Sequence, residues 1–212
     1  FVWFIMAVYD VTRRISGDLM VWPGDPAVEF NSQVTDHYMF SEIRMCSHSG
    51  THIDAPKHYF PKGSSVDSVD PGRLIGPVVV VDSGVKCGEI GTERFFSEIM
   101  EEDCKRLLIK TEFSYENNFR EDYPYLSEDA ARLIADAGLL LFGIDTPSID
   151  SYGGCGENHR RILSENIPVI ELLNLSEVNS GSYFMYALPL RLGGLDGSPA
   201  RVILTDPEDR FI

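Results

Sequence analysis

Basic residues are scarce in this 212-residue chain: 18 Lys and Arg stand against 33 Asp and Glu, a formal net charge of −15 with the histidines neutral. A field of that sign repels a phosphate backbone, which disfavours nucleic-acid binding through a broad basic surface. Long apolar runs are missing as well. The apolar start, Phe1 to Val8, is about a third of the ~20 residues that a transmembrane helix needs. It also lacks the basic flank and small-residue cleavage site of a signal peptide. No membrane partner is expected, and the expected location is the cytoplasm. Met6 is a candidate natural start, which leaves residues 1–5 as candidate non-native sequence. The four cysteines, Cys46, Cys87, Cys104 and Cys155, lie far apart with no CxxC pair. That excludes a dense disulfide scaffold and a zinc ribbon, and the four read as ordinary reduced residues.

What is present is material for one core. The length fits a single domain spanning residues 1–212, and 43% hydrophobic with 11% aromatic residues can fill it. The run Val78 to Asp82 (VVVVD), bounded by Gly76-Pro77 and Gly84, predicts a buried strand. Leu107–Lys110, Leu139–Ile144, Val169–Leu173 and Val202–Leu204 read the same way. Ser127 is placed to cap a helix over Glu128–Ala137, with Gly138 ending it and Leu133, Ile134 and Ala137 on its packing face. Further helices are expected over Arg94–Glu101 and His159–Asn166. Strands alternating with helices predict an α/β fold.

The chemistry gathers around the histidines. There are five, and three of them fall within eleven residues: His48-Ser-Gly-Thr-His52-Ile-Asp54-Ala-Pro-Lys-His58. Gly50 and Pro56 argue against a regular helix here, so the side chains converge through extended or looped backbone. Imidazole nitrogen and carboxylate oxygen suit zinc, manganese or iron, and the two oxygens of Asp54 can bridge two ions. Taken singly, each residue has a plainer role. A lone histidine is more often a hydrogen-bonded core residue, and Asp54 alone can make an Asx-turn before Pro56. Three histidines with an aspartate at this spacing reverse that balance in favour of a metal. His37, in a polar stretch, is expected to be exposed. Gly153-Gly154-Cys155-Gly156 has no GK[ST] after it and so is not a phosphate loop. It is expected to border the pocket, with Ser148 and Asp150 as loop-capping groups. Cys155 as a nucleophile is the weaker alternative.

The segment His48–Phe60, HSGTHIDAPKHYF, resembles the HxGTHxDxPxHF signature of the metal-dependent cyclase family, which includes bacterial-type kynurenine formamidases and isatin hydrolases; Tyr59 is a small departure. Val21-Trp-Pro-Gly-Asp-Pro26 is similar to that family's (Y/W)PGDP turn, and Gly143–Asp150 (GIDTPSID) to its GIDTPSxD segment. His159 followed by Ile167-Pro-Val-Ile-Glu171, then Ala187–Leu190 and Gly197–Arg201, match its later elements in order. The resemblance implies a compact α/β domain of the swivelling β/β/α type, commonly a homodimer or homotetramer. The apolar Val2–Val8 would be an interface strand. It implies that His48, His52 and Asp54 hold one ion, and that Asp54 bridges to a second held by His159 and Glu171. The cofactor would be one or two Zn2+, or Mn2+. It places His58 as general acid/base and Trp22 against the aromatic part of a substrate, although Trp22 also fits a half-buried turn residue at a subunit contact.

The physical account agrees with those roles. A bound divalent ion brings the pKa of water down to about 7 and polarises a carbonyl, and a histidine can pass the proton to a leaving nitrogen. The expected activity is therefore a metal-dependent hydrolase of C–N bonds acting on a small aromatic amide or lactam. Arylformamidase action on N-formylkynurenine, giving kynurenine and formate, comes first; isatin or cyclic-imide hydrolysis is the alternative within the family. The alternative of another class is a non-catalytic metal-binding protein, and the absence of cysteine at ligand spacing weighs against it.

Overall fold

The computed structural model describes residues 7–101 and 104–208. The strands run in chain order as β1 (Val8–Asp10), β2 (Glu29–Val34), β3 (Met39–Arg44), β4 (His52–Asp54), β5 (Ile75–Asp82), β6 (Gly88–Ile90), β7 (Arg106–Lys110), β8 (Pro124–Leu126), β9 (Leu141–Ile144), β10 (Val169–Glu171), β11 (Gly181–Pro189) and β12 (Gly197–Thr205). The helices are α1 (Pro71–Leu74), α2 (Phe96–Met100), α3 (Glu128–Asp136) and α4 (Glu157–Ser164). Residues 1–5 and most of Val2–Val8 lie outside the described residues. No helix among those described is long and apolar enough to cross a membrane.

The main sheet has the order β1-β12-β11-β5-β7-β9-β10-β4. The short β4 pairs antiparallel with β10 on one side and with β12 on the other, so seven strands close into a ring and β1 is left at the margin. Inside the ring, β5, β7, β9 and β10 are parallel neighbours, and α3 and α4 lie in the crossovers between the last three. Successive strand residues point to opposite faces. Leu107, Ile109, Phe142 and Ile144 accordingly pack with Ala130, Ile134 and Ile162 of the helices. Leu108, Leu141 and Ile170 turn the other way, into a core shared with Ile53, Met185 and Val202. Both faces are buried, which explains the near-continuous apolar runs of the parallel strands. The mixed α/β architecture matches the expected class.

Several boundaries differ from the expectation, each for a local reason. β5 starts at Ile75 and runs through Gly76 and Pro77. Gly76 has φ 143°, and a Cβ there would lie 2.6 Å from Nη1 of the buried Arg106, which donates to the carbonyls of Arg73 and Pro77. β9 begins two residues late, at Leu141. β10 stops at Glu171, because Leu172 adopts φ 55° and its carbonyl accepts from the Thr51 hydroxyl at 2.6 Å. β12 is much longer than Val202–Leu204 because it is sandwiched between β11 and, by turns, β1 and β4. The α3 cap is as expected: Ser127 Oγ accepts from Ala130 N at 3.2 Å, and Gly138 follows with φ 65°. Its packing face is Ala130, Ala131 and Ile134, with Leu133 partly covered; Ala137 is exposed. The segment Arg94–Glu101 is broken at Phe95 (φ −149°), and only Phe96–Met100 is α-helical. The helix expected over His159–Asn166 begins two residues earlier and ends at Ser164, with Asn166 at φ 56°.

Candidate metal centre

Strand β4 carries the centre. Alternation turns Ile53 into the core while His52 and Asp54 share the opposite face. The antiparallel register sets Glu171 directly across from His52, so the two side chains emerge on the same side of the sheet. Gly197 sits across from Asp54, and a Cβ on it would come 2.8 Å from His48 Cε1, so this glycine makes the room that the His48 ring occupies. His58 ends a single turn, Pro56–His58, just after β4, and His159 lies in the first turn of α4. The end of β9 supplies the loop Asp145–Asp150 beside them. The site therefore gathers at the carboxyl ends of β9 and β10, where crossovers leave a crevice.

Asp54 is fully buried. Its Oδ1 lies 2.8 Å from His48 Nδ1 and 3.3 Å from His52 Nε2, and its Oδ2 lies 3.4 Å from His159 Nε2. Glu171 completes the ring of groups, 3.6 Å from His52 Nε2 and 3.1 Å from His159 Nε2. None of these short approaches is an aligned hydrogen bond. His52 Nε2, His159 Nε2 and both Asp54 oxygens are buried with no hydrogen-bond partner. The far edges of the two rings are spoken for: His52 Nδ1 is 2.8 Å from the Gly50 carbonyl, and His159 Nδ1 is 2.6 Å from Asp150 Oδ2. A carbonyl only accepts, so Nδ1 of His52 bears a proton, which leaves its Nε2, facing Asp54 and Glu171, as the atom that would turn a lone pair to a bound cation. Ring nitrogens and buried carboxylate oxygens that face one another at such distances without an aligned hydrogen bond form a ready set of ligands for a cation between them. The residues present therefore fit a divalent ion of the kind that takes nitrogen and oxygen ligands. Two triads have donor atoms within 4.8 Å of one another: His52, Asp54 and Glu171, and His48, Asp54 and His58.

Without a bound cation, the same carboxylates draw a second proton onto the rings that face them, so protons stand where an ion's positive charge would be. Burial opposes charge on His48 and His52, but Asp54 and its neighbours outweigh it and hold them up to about 9 and about 10. His159 is raised likewise, against burial, by Glu171 and Asp150. Asp54 is held well below the usual carboxylate range by His52 and His48 despite its burial. His58 differs: burial, with His48 and His159 adding to it, pulls it below 6.5 although Asp54 opposes. It is the neutral histidine of the group.

Above the cluster is a cavity of about 430 Å³. Trp22 lines it, with its ring 5.4 Å from Phe119, 5.6 Å from Tyr152 and 6.1 Å from Tyr123. His48, His52, His58, His159, Glu171 and Trp22 thus all reach one cavity, and Asp54 lies beneath it. His37 is exposed on the β2–β3 turn and takes no part. Cys155 is exposed just before α4, and Cys46 is the cysteine that lines the cavity. Ser148 Oγ accepts from Asp150 N, and Asp150 caps α4 through Asn158 N and His159 N while also meeting the His159 ring. Two neighbours escaped the sequence. Tyr59 stacks on His159 at 4.8 Å with Arg160 above its ring. Asp196 lies 2.9 Å from His48 Nε2 and 3.4 Å from His58 Nδ1. No local signal in the sequence pointed to Asp196, which reaches His48 across 148 residues.

Known proteins resemble this chain along nearly its full length. The family model described as "Cyclase: Putative cyclase" matches residues 9–151. The kynurenine formamidase of Salinibacter ruber is 30% identical over 212 residues, covering 96% of this chain and 100% of its own. A solved structure described as a predicted metal-dependent hydrolase from Bacillus stearothermophilus is 33% identical with TM-score 0.85, covering 96% of this chain and 100% of that one. Isatin hydrolase A from Ralstonia solanacearum shares the fold, with TM-score 0.78 at 22% identity over 95% of this chain and 92% of that one.

Proposed function

The chain belongs to the cyclase family, and on that premise we propose that it is a metal-dependent amidohydrolase that converts N-formylkynurenine to kynurenine and formate. The observation that carries the reading is the set of buried, unpartnered histidine and aspartate atoms at the floor of an aromatic-walled cavity. His48, His52 and Asp54 would hold one ion, and Asp54, His159 and Glu171 a second, the ion being Zn2+ or Mn2+. When bound, such an ion supplies Lewis-acid chemistry, acidifying water and polarising a carbonyl oxygen.

The protein's own groups do the rest. Trp22, backed by Phe119 and Tyr152, offers edges and faces against which an aryl ring packs. That contact fixes where the attached amide falls, and orientation is worth a large part of a hydrolytic barrier. His58, neutral because it is buried, accepts a proton from the attacking water and returns it to the leaving aryl nitrogen. Asp54 and Glu171, both buried, give the floor the negative charge that a divalent cation offsets.

Hydrolysis of N-formylkynurenine by protein reloaded with zinc or manganese tests the reading, with isatin assayed in parallel. Turnover of about 1 s⁻¹ or more on the formamide is expected, within the usual enzyme range. Preferential opening of isatin would move the substrate to the lactam class, and no turnover of either with metal bound would reject the hydrolase.

A further inference from the structure

Asp196 ends the loop before β12 and is fixed there. Its carbonyl accepts from Ala55 N at 2.9 Å, and Ser47 Oγ donates to its Oδ1 at 3.1 Å. The other oxygen, Oδ2, meets two rings at once: His48 Nε2 at 2.9 Å and His58 Nδ1 at 3.4 Å. Those rings lie face to tilted face, with centroids 4.2 Å apart. An ionised carboxylate only accepts, and an imidazole that ligates a cation is neutral and carries one proton, on the nitrogen turned away from the ion. The 2.9 Å hydrogen bond to Oδ2 places the proton of His48 on Nε2, and the same oxygen, 3.4 Å from His58 Nδ1, favours the proton of His58 on that nitrogen electrostatically. In the first ring the lone pair is then on Nδ1, the atom 2.8 Å from Asp54 Oδ1. In the second it is on Nε2. His52 and His159 have their own outer partners in Gly50 and Asp150. Asp196 supplies the equivalent for His48 and, with the same atom, for His58.

We infer that Asp196 is a positioning residue for the proposed reaction: one carboxylate oxygen sets the tautomers of both the candidate ligand His48 and the candidate proton carrier His58. The inference rests on the hydrolase reading for its catalytic meaning, but the tautomers are readable without it. Outer partners of metal-bound histidine commonly change affinity or activity by about 10–100-fold.

The test uses the full chain with ¹⁵N-labelled histidine, loaded with zinc, and long-range ¹H–¹⁵N correlation to find which ring nitrogens carry protons. The wild type is expected to show Nε2–H for His48 and Nδ1–H for His58. In D196A the His58 signal is expected to leave the Nδ1–H form, and zinc affinity, read by chelator competition, to fall about 10–100-fold. The value of kcat is expected to fall in the same range with KM little changed. D196N keeps a carbonyl acceptor of the same shape and is expected to hold the tautomers and recover part of the affinity. Wild-type His58 found as Nε2–H overturns the assignment without any variant, as does D196A with unchanged tautomers and zinc affinity. A wild type that shows both expected tautomers and binds zinc, yet leaves N-formylkynurenine intact, supports Asp196 while removing the substrate reading.

Discussion

Two buried carboxylates, Asp54 and Glu171, separate the histidines of this site by task. Those that touch them are drawn toward positive charge, and His58, set back from them, is kept neutral by its burial. Replacing His58 with alanine is expected to cost ~10²–10⁴-fold in rate while metal stays bound; metal analysis beside kinetics checks both halves. If metal is lost too, His58 is itself a ligand in the triad it forms with His48 and Asp54. Asp54→Ala is expected to lose metal along with activity. At the head of the Asp145–Asp150 loop, burial pushes Asp145 up to about 6, although Thr111, Ser114 and Arg13 favour its charge. A carboxyl raised in the folded state binds its proton more tightly there. The stabilisation it gives is full below the unfolded value near 3.8 and is lost as pH rises through about 6. Denaturant titrations from pH 4 to 7 should show the wild type losing roughly 1–3 kcal/mol relative to D145N. The histidine cluster was legible because four of its groups come from one short stretch. Asp196 was not, since 148 residues separate it from His48 and nothing in its own neighbourhood marks it as a ligand's partner.

At the scale of elements, the local signals that proved readable were those with a local cause. The Ser127 cap and the Gly138 stop bracket α3 as expected, and S127A should cost ~1 kcal/mol in a urea titration. The β-branched run of β5 is likewise visible in sequence. What the sequence hid was made by distant partners. Gly76-Pro77 looked like a boundary, yet Arg106 and β11 hold both residues in the strand. β4 has three residues and no strand signature of its own; it exists because β10 and β12 flank it. Gly156 shows the same dependence in reverse. Its φ is 75°, and a Cβ would run into the Tyr59 ring that stacks on His159. Gly156→Ala is expected to displace that ring, lowering both melting temperature and zinc affinity, whereas an equally left-handed position in open space, Gly138, should lower only the melting temperature when changed to alanine.

For the molecule as a whole, the α/β class was legible from the alternation of runs, but ring closure was not, because it depends on pairing between residues 52–54 and 197–199. Every residue of the β2–β3 hairpin is exposed, including Phe30, Val34, Tyr38, Met39, Phe40 and Ile43. A two-stranded ribbon with that much bare apolar surface is marginal alone. Sedimentation is therefore expected to find a homodimer or homotetramer, and lysines at the cross-strand pair Val34 and Met39 to shift it toward monomer. The closure of the ring also sets a clock. A ribosome makes His48, His52 and Asp54 early, while β10 and the flank supplied by β12 come only near the end of the described chain. Until then the three early side chains have no rigid frame, because their strand has no neighbours to pair with. Domains form as units when their last strands emerge, so metal capture should be an event of the finished chain, not of the nascent one.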